Sequence, residues 1–198
     1  MCSTGAFSRR PVYDIKTRRC MMRNSIRLFI LCLVLAGAAV QAADKVDSLL
    51  VYGNNFTISA KEPSGWRGDS TNASLHHSNL LFYRGNETVQ NAKTVIRVLV
   101  ANKTDENTVE DLKYDMEGYQ KNYPNVQFKD IAMKHPGYRA YAKLFYIKNG
   151  FHEYVTYLNP GKSYPYLISV SMTIQAAEAG REDMRAYSFV VGSVKALK

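Results

Sequence analysis

"TVIRVLVANKTDENTVEDLKYDMEGYQKNYP", residues 94–124, sets a strand directly before a helix. Over 93–102, Ile96, Val98 and Val100 fall on one face and Val95, Arg97 and Leu99 on the other, since successive strand side chains point to opposite sides. Thr108 then stands at a capping position. Glu110 and Asp111 occupy the first turn, where the helix dipole favours negative charge. Val109, Leu112, Met116, Tyr119 and Tyr123 recur at steps of three and four, one face of a helix, and Pro124 ends it. Glu106, Glu110, Asp111, Asp115 and Glu117 alternate with Lys113 and Lys121. They read as a solvated face with i,i+4 pairs such as Glu117–Lys121.

Upstream, Phe56, Ile58 and Ala60 alternate with Thr57, Ser59 and Lys61, which predicts an opening strand with one buried face. Pro63 and Gly65 then turn the chain, so that Trp66, the single tryptophan, folds back as a core cap. A second strand is expected over 75–85. Downstream, 125–133 reads as a fourth strand, and His135-Pro136-Gly137 as a turn. Residues 138–148 and 151–158 flank Asn149-Gly150, which predicts a two-residue type I′ hairpin. That loop would pair Tyr146 with Glu153, Leu144 with Val155, Phe145 with Tyr154 and Tyr141 with Leu158. Asn159-Pro160-Gly161 turns the chain again. Over 166–174, Ile168, Val170, Met172 and Ile174 point inward. Ala177, Gly180, Met184, Tyr187, Val191 and Val194 predict a closing helix to the C-terminus. Three strands, a helix, four strands and a helix are segregated runs, which indicate an α+β fold with an antiparallel sheet.

The N-terminal region reads as a leader. Arg23 and Arg27 precede an apolar run from Leu28 to Val40 that is short for a span of ~20 residues. Val40-Gln41-Ala42 fits signal-peptidase cleavage between Ala42 and Ala43. The expected organisation is a non-native extension over 1–21, a signal peptide over 22–42 and one domain over 43–198. The chain carries +9 net charge, but residues 1–42 hold seven of the 26 basic residues and one of the 17 acids, which leaves +3 after cleavage. That removes the main argument for nucleic-acid binding. Cys2, Cys20 and Cys32 all lie upstream of Ala43, so the mature chain has no disulfide, thiolate nucleophile or cysteine metal site. The only membrane association expected is through an uncleaved signal peptide.

The Pro63-x-Gly65-Trp66 end of the first strand, the strand-then-helix of 94–124 and the closing "YLISVSMTIQAAEAGREDMRAYSFVVGSVKAL" (166–197) carry a resemblance. In this order and spacing the chain resembles the PsbP-like superfamily, which shares its fold with the Ran-binding Mog protein, and within it the exported bacterial DcrB-type proteins. The resemblance covers about residues 54–197. It implies an antiparallel sheet sandwiched by helices, with no enzymatic activity and no transferable ligand site.

Motifs for chemistry are sparse. No G-x-S-x-G, S-x-x-K, phosphate loop or H-E-x-x-H occurs. His76 and His77, read on a strand, point apart and cannot easily share a metal with His135 or His152. No cofactor or metal is expected. Asn55, Asn72, Asn86 and Asn102 each open an N-x-S/T sequon, which a bacterial origin leaves unused. Thirteen of the 14 tyrosines lie after residue 43. Packing across strands accounts for most of them, and Tyr164 and Tyr166 are the candidates for a partner surface, since tyrosine suits interfaces. The expected function is an exported, non-enzymatic binding or accessory protein of the bacterial envelope, periplasmic or secreted, with an unknown envelope partner. Alternatives are an immunity- or inhibitor-type protein, or a small-ligand-binding or hydrolytic protein with a site the motifs do not reveal.

Overall fold

A computed structural model describes residues 48–104, 108–148, 150–174 and 179–197. The leader, its cleavage site at Ala42–Ala43, Asn149 and Ala177 lie outside the described residues. Strands β1 (Leu49–Tyr52) and β2 (Thr57–Ala60) open the fold, followed by β3 (Trp66–Asp69), β4 (Leu80–Arg84) and β5 (Thr94–Asn102). Helix α1 (Thr108–Asn122) leads into β6 (Gln127–Asp130), β7 (Arg139–Tyr146), β8 (His152–Asn159) and β9 (Tyr166–Ile174). Helix α2 (Arg181–Ser193) and β10 (Lys195–Leu197) close it. Seven strands form an antiparallel sheet in the order β3-β4-β5-β9-β8-β7-β6, and β1-β2-β10 form a second, smaller one.

The two faces of the large sheet are covered differently. Ile96 and Val98 of β5, Ile168, Val170 and Met172 of β9, and Phe82 of β4 pack with Tyr187, Val190 and Val191 of α2 and with Ile58 of the small sheet. On the other face α1 lays Leu112, Met116 and Tyr119 over Phe145, Val155, Tyr157 and Leu167. The fold is therefore α+β, an antiparallel sheet between helices. Trp66 is 6% exposed and belongs to the α2-side core. It is delivered by a turn in which the Trp66 N–H donates to the Pro63 carbonyl at 3.0 Å. Gly65 supplies the positive φ (79°) that such a turn needs at its third position.

Several elements depart from the expected ones. The Phe56–Lys61 strand has a partner on each side, β1 and β10, and Trp66 starts a strand of its own. Residues 75–85 are not one strand. Ala73–His76 form a 3₁₀ turn ending at His77 in the left-handed region (φ 51°), and β4 starts at Leu80. The fourth strand shortens to Gln127–Asp130. The closing helix starts after Gly180, whose N–H donates to Asp183 Oδ2 at 3.3 Å, and it stops before Val194 so that β10 can pair with β2.

The hairpin register is also corrected by one residue. Tyr146 pairs with His152, Phe145 with Glu153, Leu144 with Tyr154 and Tyr141 with Tyr157. The Ile147 N–H donates to the Phe151 carbonyl at 3.1 Å, and the Gly150 N–H to the Ile147 carbonyl at 2.8 Å, so three residues form the loop. A slip of one exchanges which side chains are neighbours on each face. Both faces of β7 and β8 are apolar, so hydrophobic pattern alone did not choose the register.

Candidate functional site

The α1 face of the sheet holds a groove whose shape follows from one departure from the expected helix. Glu110 pairs with Lys113 at 2.8 Å and Glu117 is exposed, as a solvated face requires. Asp111 and Asp115 instead turn inward with Leu112, Met116 and Tyr119. Asp111 is only 8% exposed. Its Oδ1 accepts the Thr104 N–H at 3.0 Å, while Oδ2 has no partner among the described residues. Thr108 is the first helical residue, and its Oγ1 accepts Asn159 Nδ2 at 2.9 Å, which ties the start of α1 to the end of β8.

Alongside the C-terminal half of α1 lies a cavity of about 590 Å³. Its walls are Tyr114 and Tyr119 from α1, Tyr123 just after the helix and Phe151 just before β8. Asp115 and Glu153 reach into it, over a floor at Thr173. The rings support each other. Tyr123 meets Phe151 edge-on with centroids 5.1 Å apart, and Tyr119 lies 4.6 Å from Phe145. Tyr114 and Tyr123 form the outer lip, 73% and 45% exposed. Gly118, exposed on α1, also lines the groove. A Cβ there would meet nothing within 4 Å, so the missing side chain leaves the groove open at some cost in helix propensity.

Each carboxylate is held by a tyrosine. The Tyr157 hydroxyl donates to Asp115 Oδ2 and the Tyr119 hydroxyl to Glu153 Oε2. Thr173 Oγ1 lies 3.4 Å from Glu153 Oε1 and accepts the Arg97 guanidinium at 2.5 Å. Burial, then the charges of Glu153 and Asp111, push the Asp115 carboxyl up to about 6. Burial and the Glu153 charge also push the Tyr119 phenol upward. None of the groove's described lining residues is cationic.

Tyr164 and Tyr166 lie elsewhere, at the entry to β9. Both are half-buried against the α2-side core. Their rings meet edge-on at 5.5 Å, and Phe56 packs on Tyr166 at 5.6 Å. The Tyr164 hydroxyl is buried without a partner among the described residues, and burial raises its pKa. Trp66 lies in the same core, as its reading as a core cap requires.

His76 and His77 are not on the strand the sequence predicts for them. They sit at the 3₁₀ turn. His152 is buried beside Tyr146 with ring centroids 5.8 Å apart. His135 stacks on Tyr138 at 4.2 Å. Among the described residues, no three His, Cys, Asp or Glu side chains converge as metal ligands, and no helix is long and apolar enough to cross a membrane. The groove acids were missed because charges on a helix usually face water. A usable signal was present, since Asp111, Asp115 and Tyr119 step by four along the apolar face.

No protein-family model matches the chain, and no curated protein matches it. Among solved structures the chain is similar to LpqN, described as "involved in cell envelope biogenesis of Mycobacterium tuberculosis". The TM-score is 0.54 at 15% identity, over 76% of this chain and 91% of that one. It also aligns with cyanobacterial PsbP (CyanoP) from Synechocystis sp. PCC 6803, with a TM-score of 0.45 at 13% identity over 80% of this chain and 99% of that one. At such identity the likeness to LpqN shows the fold alone. What it shows is the architecture expected from the sequence, an α+β antiparallel sheet between helices.

Proposed function

We infer that this chain is an exported, non-enzymatic binding or accessory protein of the bacterial envelope, of the DcrB type, and that it binds through the α1 groove. The observation that carries the reading is the groove itself. It is an open, aromatic-walled cavity within the usual ligand-pocket range of ~300–1,000 Å³, with a few polar groups converging on it. The signal-peptide pattern before Ala43 supports export, and so does sharing a fold with a protein involved in envelope biogenesis.

The test immobilises the mature chain and measures saturable capture from detergent-solubilised bacterial envelope. Three variants are compared: Gly118→Leu, Tyr123→Ala/Phe151→Ala and Tyr164→Ala/Tyr166→Ala. Loss of the captured partner in the first two and retention in the third is the expected result. Retention in the first two overturns the groove as the binding surface, and loss only in the third moves the surface to β9. Fusion of residues 1–60 to a reporter active only outside the cytoplasm tests export.

A second reading, hydrolysis, is favoured by one observation: a carboxyl raised to about 6 beside a second carboxylate in a cleft. Glycoside hydrolysis uses such a pair as acid and base. Turnover of chromogenic glycosides that disappears in both Asp115→Asn and Glu153→Gln would establish it, and no turnover removes it.

A further inference from the structure

We propose that the groove binds an organic ammonium ion, an alkylamine whose N–H groups meet Asp115 and Glu153 and whose chain lies along Tyr123 and Phe151. This deepens the binding reading above and rests on it.

The sign of the charge comes first. Asp115 and Glu153 face the cavity, and Asp111 stands one turn behind Asp115 on the same helix face. Two basic groups on this side of the sheet stay out of the cavity lining, Arg97 just behind its Thr173 floor and Lys143 farther off. Arg97 donates to Thr173, and Lys143 of β7 pairs with Asp130 at 2.6 Å. The cavity is thus negative and partly shielded from water, which disfavours an anion and favours a cation.

The free hydrogen-bonding capacity comes next. Tyr157 occupies Asp115 Oδ2 and Tyr119 occupies Glu153 Oε2. Asp115 Oδ1 accepts no described hydrogen bond, and Glu153 Oε1 has only the long 3.4 Å contact with Thr173. Two pre-positioned acceptors therefore await donors, and a carboxylate in its charged form accepts but cannot donate. An alkylammonium brings three N–H donors to one point.

The rings then distinguish an organic cation from a metal ion. Tyr119, Tyr123 and Phe151 pack within 6.3 Å of one another, centroid to centroid. Aromatic faces attract ammonium groups through their quadrupole and also cover the attached methylenes. A hard metal ion would instead need further oxygen ligands, and the described residues do not gather them. Gly118 leaves the space in which the chain would lie.

The raised Asp115 carboxyl fits this arrangement. A bound cation would relieve its repulsion by Glu153 and Asp111, pull its pKa down and release a proton near pH 6. The other groups facing Asp115 are the phenols Tyr119 and Tyr157, with Arg97 behind Thr173.

The test is isothermal titration of the mature chain with n-hexylamine at pH 7.5. The controls are n-hexanol as a neutral match and a blocked lysine tripeptide. Hexylamine should bind about ten-fold or more tightly than hexanol, as expected for a desolvated cation on aromatic faces. Asp115→Asn and Glu153→Gln should each weaken hexylamine about ten-fold. Gly118→Leu, which removes no polar group, should abolish binding, and Tyr164→Ala should leave it unchanged. Affinity should fall as pH drops through about 6. A lysine peptide that binds more tightly than hexylamine assigns the cation to a partner protein, and the reverse assigns it to a free amine. Equal binding of hexanol and hexylamine, or indifference to both carboxamide variants in folded protein, overturns the proposal. Groove-dependent envelope capture without hexylamine binding would sink the cation and leave the groove. Hexylamine binding with groove-independent capture would do the opposite.

Discussion

The guanidinium carbon of Arg84 lies 5.0 Å from the centroid of the Trp66 ring, and the two residues are directly paired across β3 and β4. The same guanidinium holds Asp183 at 3.0 Å and Glu182 at 3.1 Å in the first turn of α2. Arg84 thus roofs the indole and ties the sheet edge to the helix. Trp66→Ala should cost ~3–5 kcal/mol, as for a large aromatic removed from a core. Urea unfolding followed by circular dichroism checks this, because the variant lacks the fluorophore. A loss under about 1 kcal/mol would mean that the ring is dispensable. Arg84→Ala should cost only ~1 kcal/mol, since the cation sits at a half-exposed site. Arg84→Lys should recover little of it, because lysine cannot fork to two carboxylates.

Trp66 was legible because Pro63 and Gly65 encode a turn whatever packs later. The long strands β5 and β9 and the face of α1 were legible for a similar reason, since their periodicity is repeated several times within one segment. Three short strands were not. β1 and β10 span four and three residues, and β3 carries Arg67, Gly68 and Asp69. What makes them strands is pairing to distant residues: Ala196 lies opposite Ile58. No local window contains that information. The groove was illegible on the same ground, since Glu153 meets Tyr119 only once the sheet places β8 under α1.

Tyr187 and Thr156 supply a second test. The Tyr187 hydroxyl donates to the Val170 carbonyl at 3.0 Å and lies 2.7 Å from Thr156 Oγ1, and both residues are fully buried. Tyr187→Phe should cost ~1–3 kcal/mol, because it strands buried partners. Thr156→Val should cost less, because Tyr187 keeps its bond to Val170. The double variant should fall short of the sum of the two, as for contacting groups. Additive losses in denaturant melts would remove the pair from the stability account.

Asp115 gives a pH dependence. Its folded pKa, about 6, lies above the ordinary carboxylate value, so the folded chain binds this proton more tightly than the unfolded chain. The associated stability is complete below the ordinary value and is lost as pH rises through about 6. At alkaline pH the wild type carries an ionised Asp115 that is partly buried and faces Glu153 and Asp111. Asp115→Asn should then be more stable by about 1 kcal/mol, after allowing for solvent screening of a partly exposed group. Near pH 4, around the ordinary carboxylate value, the advantage should vanish. A constant difference across that range in urea titrations would show that neither burial nor its acidic neighbours strain Asp115.

His135 works in the opposite direction at the far end of the chain. Its Nδ1 accepts the N–H groups of Gly137 at 3.0 Å and Tyr138 at 2.9 Å, so the ring proton resides on Nε2 and is donated to the Val194 carbonyl at 2.8 Å. Tyr138 in turn accepts the Ala196 N–H at 2.9 Å, which completes a clip over β10. Burial holds the imidazole below its usual value, with the Lys195 charge adding to it, against the pull of the Val194 carbonyl. The folded state therefore prefers the neutral ring. Its stability contribution is present above the ordinary imidazole value of ~6.5 and is lost as pH falls through the lower folded value. Protonating Nδ1 removes the acceptor for both N–H groups, so β10 should loosen before the rest of the fold. Hydrogen exchange at Lys195–Leu197, corrected for intrinsic pH effects, should quicken as pH falls below the ordinary imidazole value of ~6.5. The β5 and β9 amides should stay protected there. His135→Asn, whose Oδ1 can accept the same N–H groups without titrating, should flatten that dependence. Exchange at β10 that follows the same pH curve in both proteins would mean that the ring does not hold the strand.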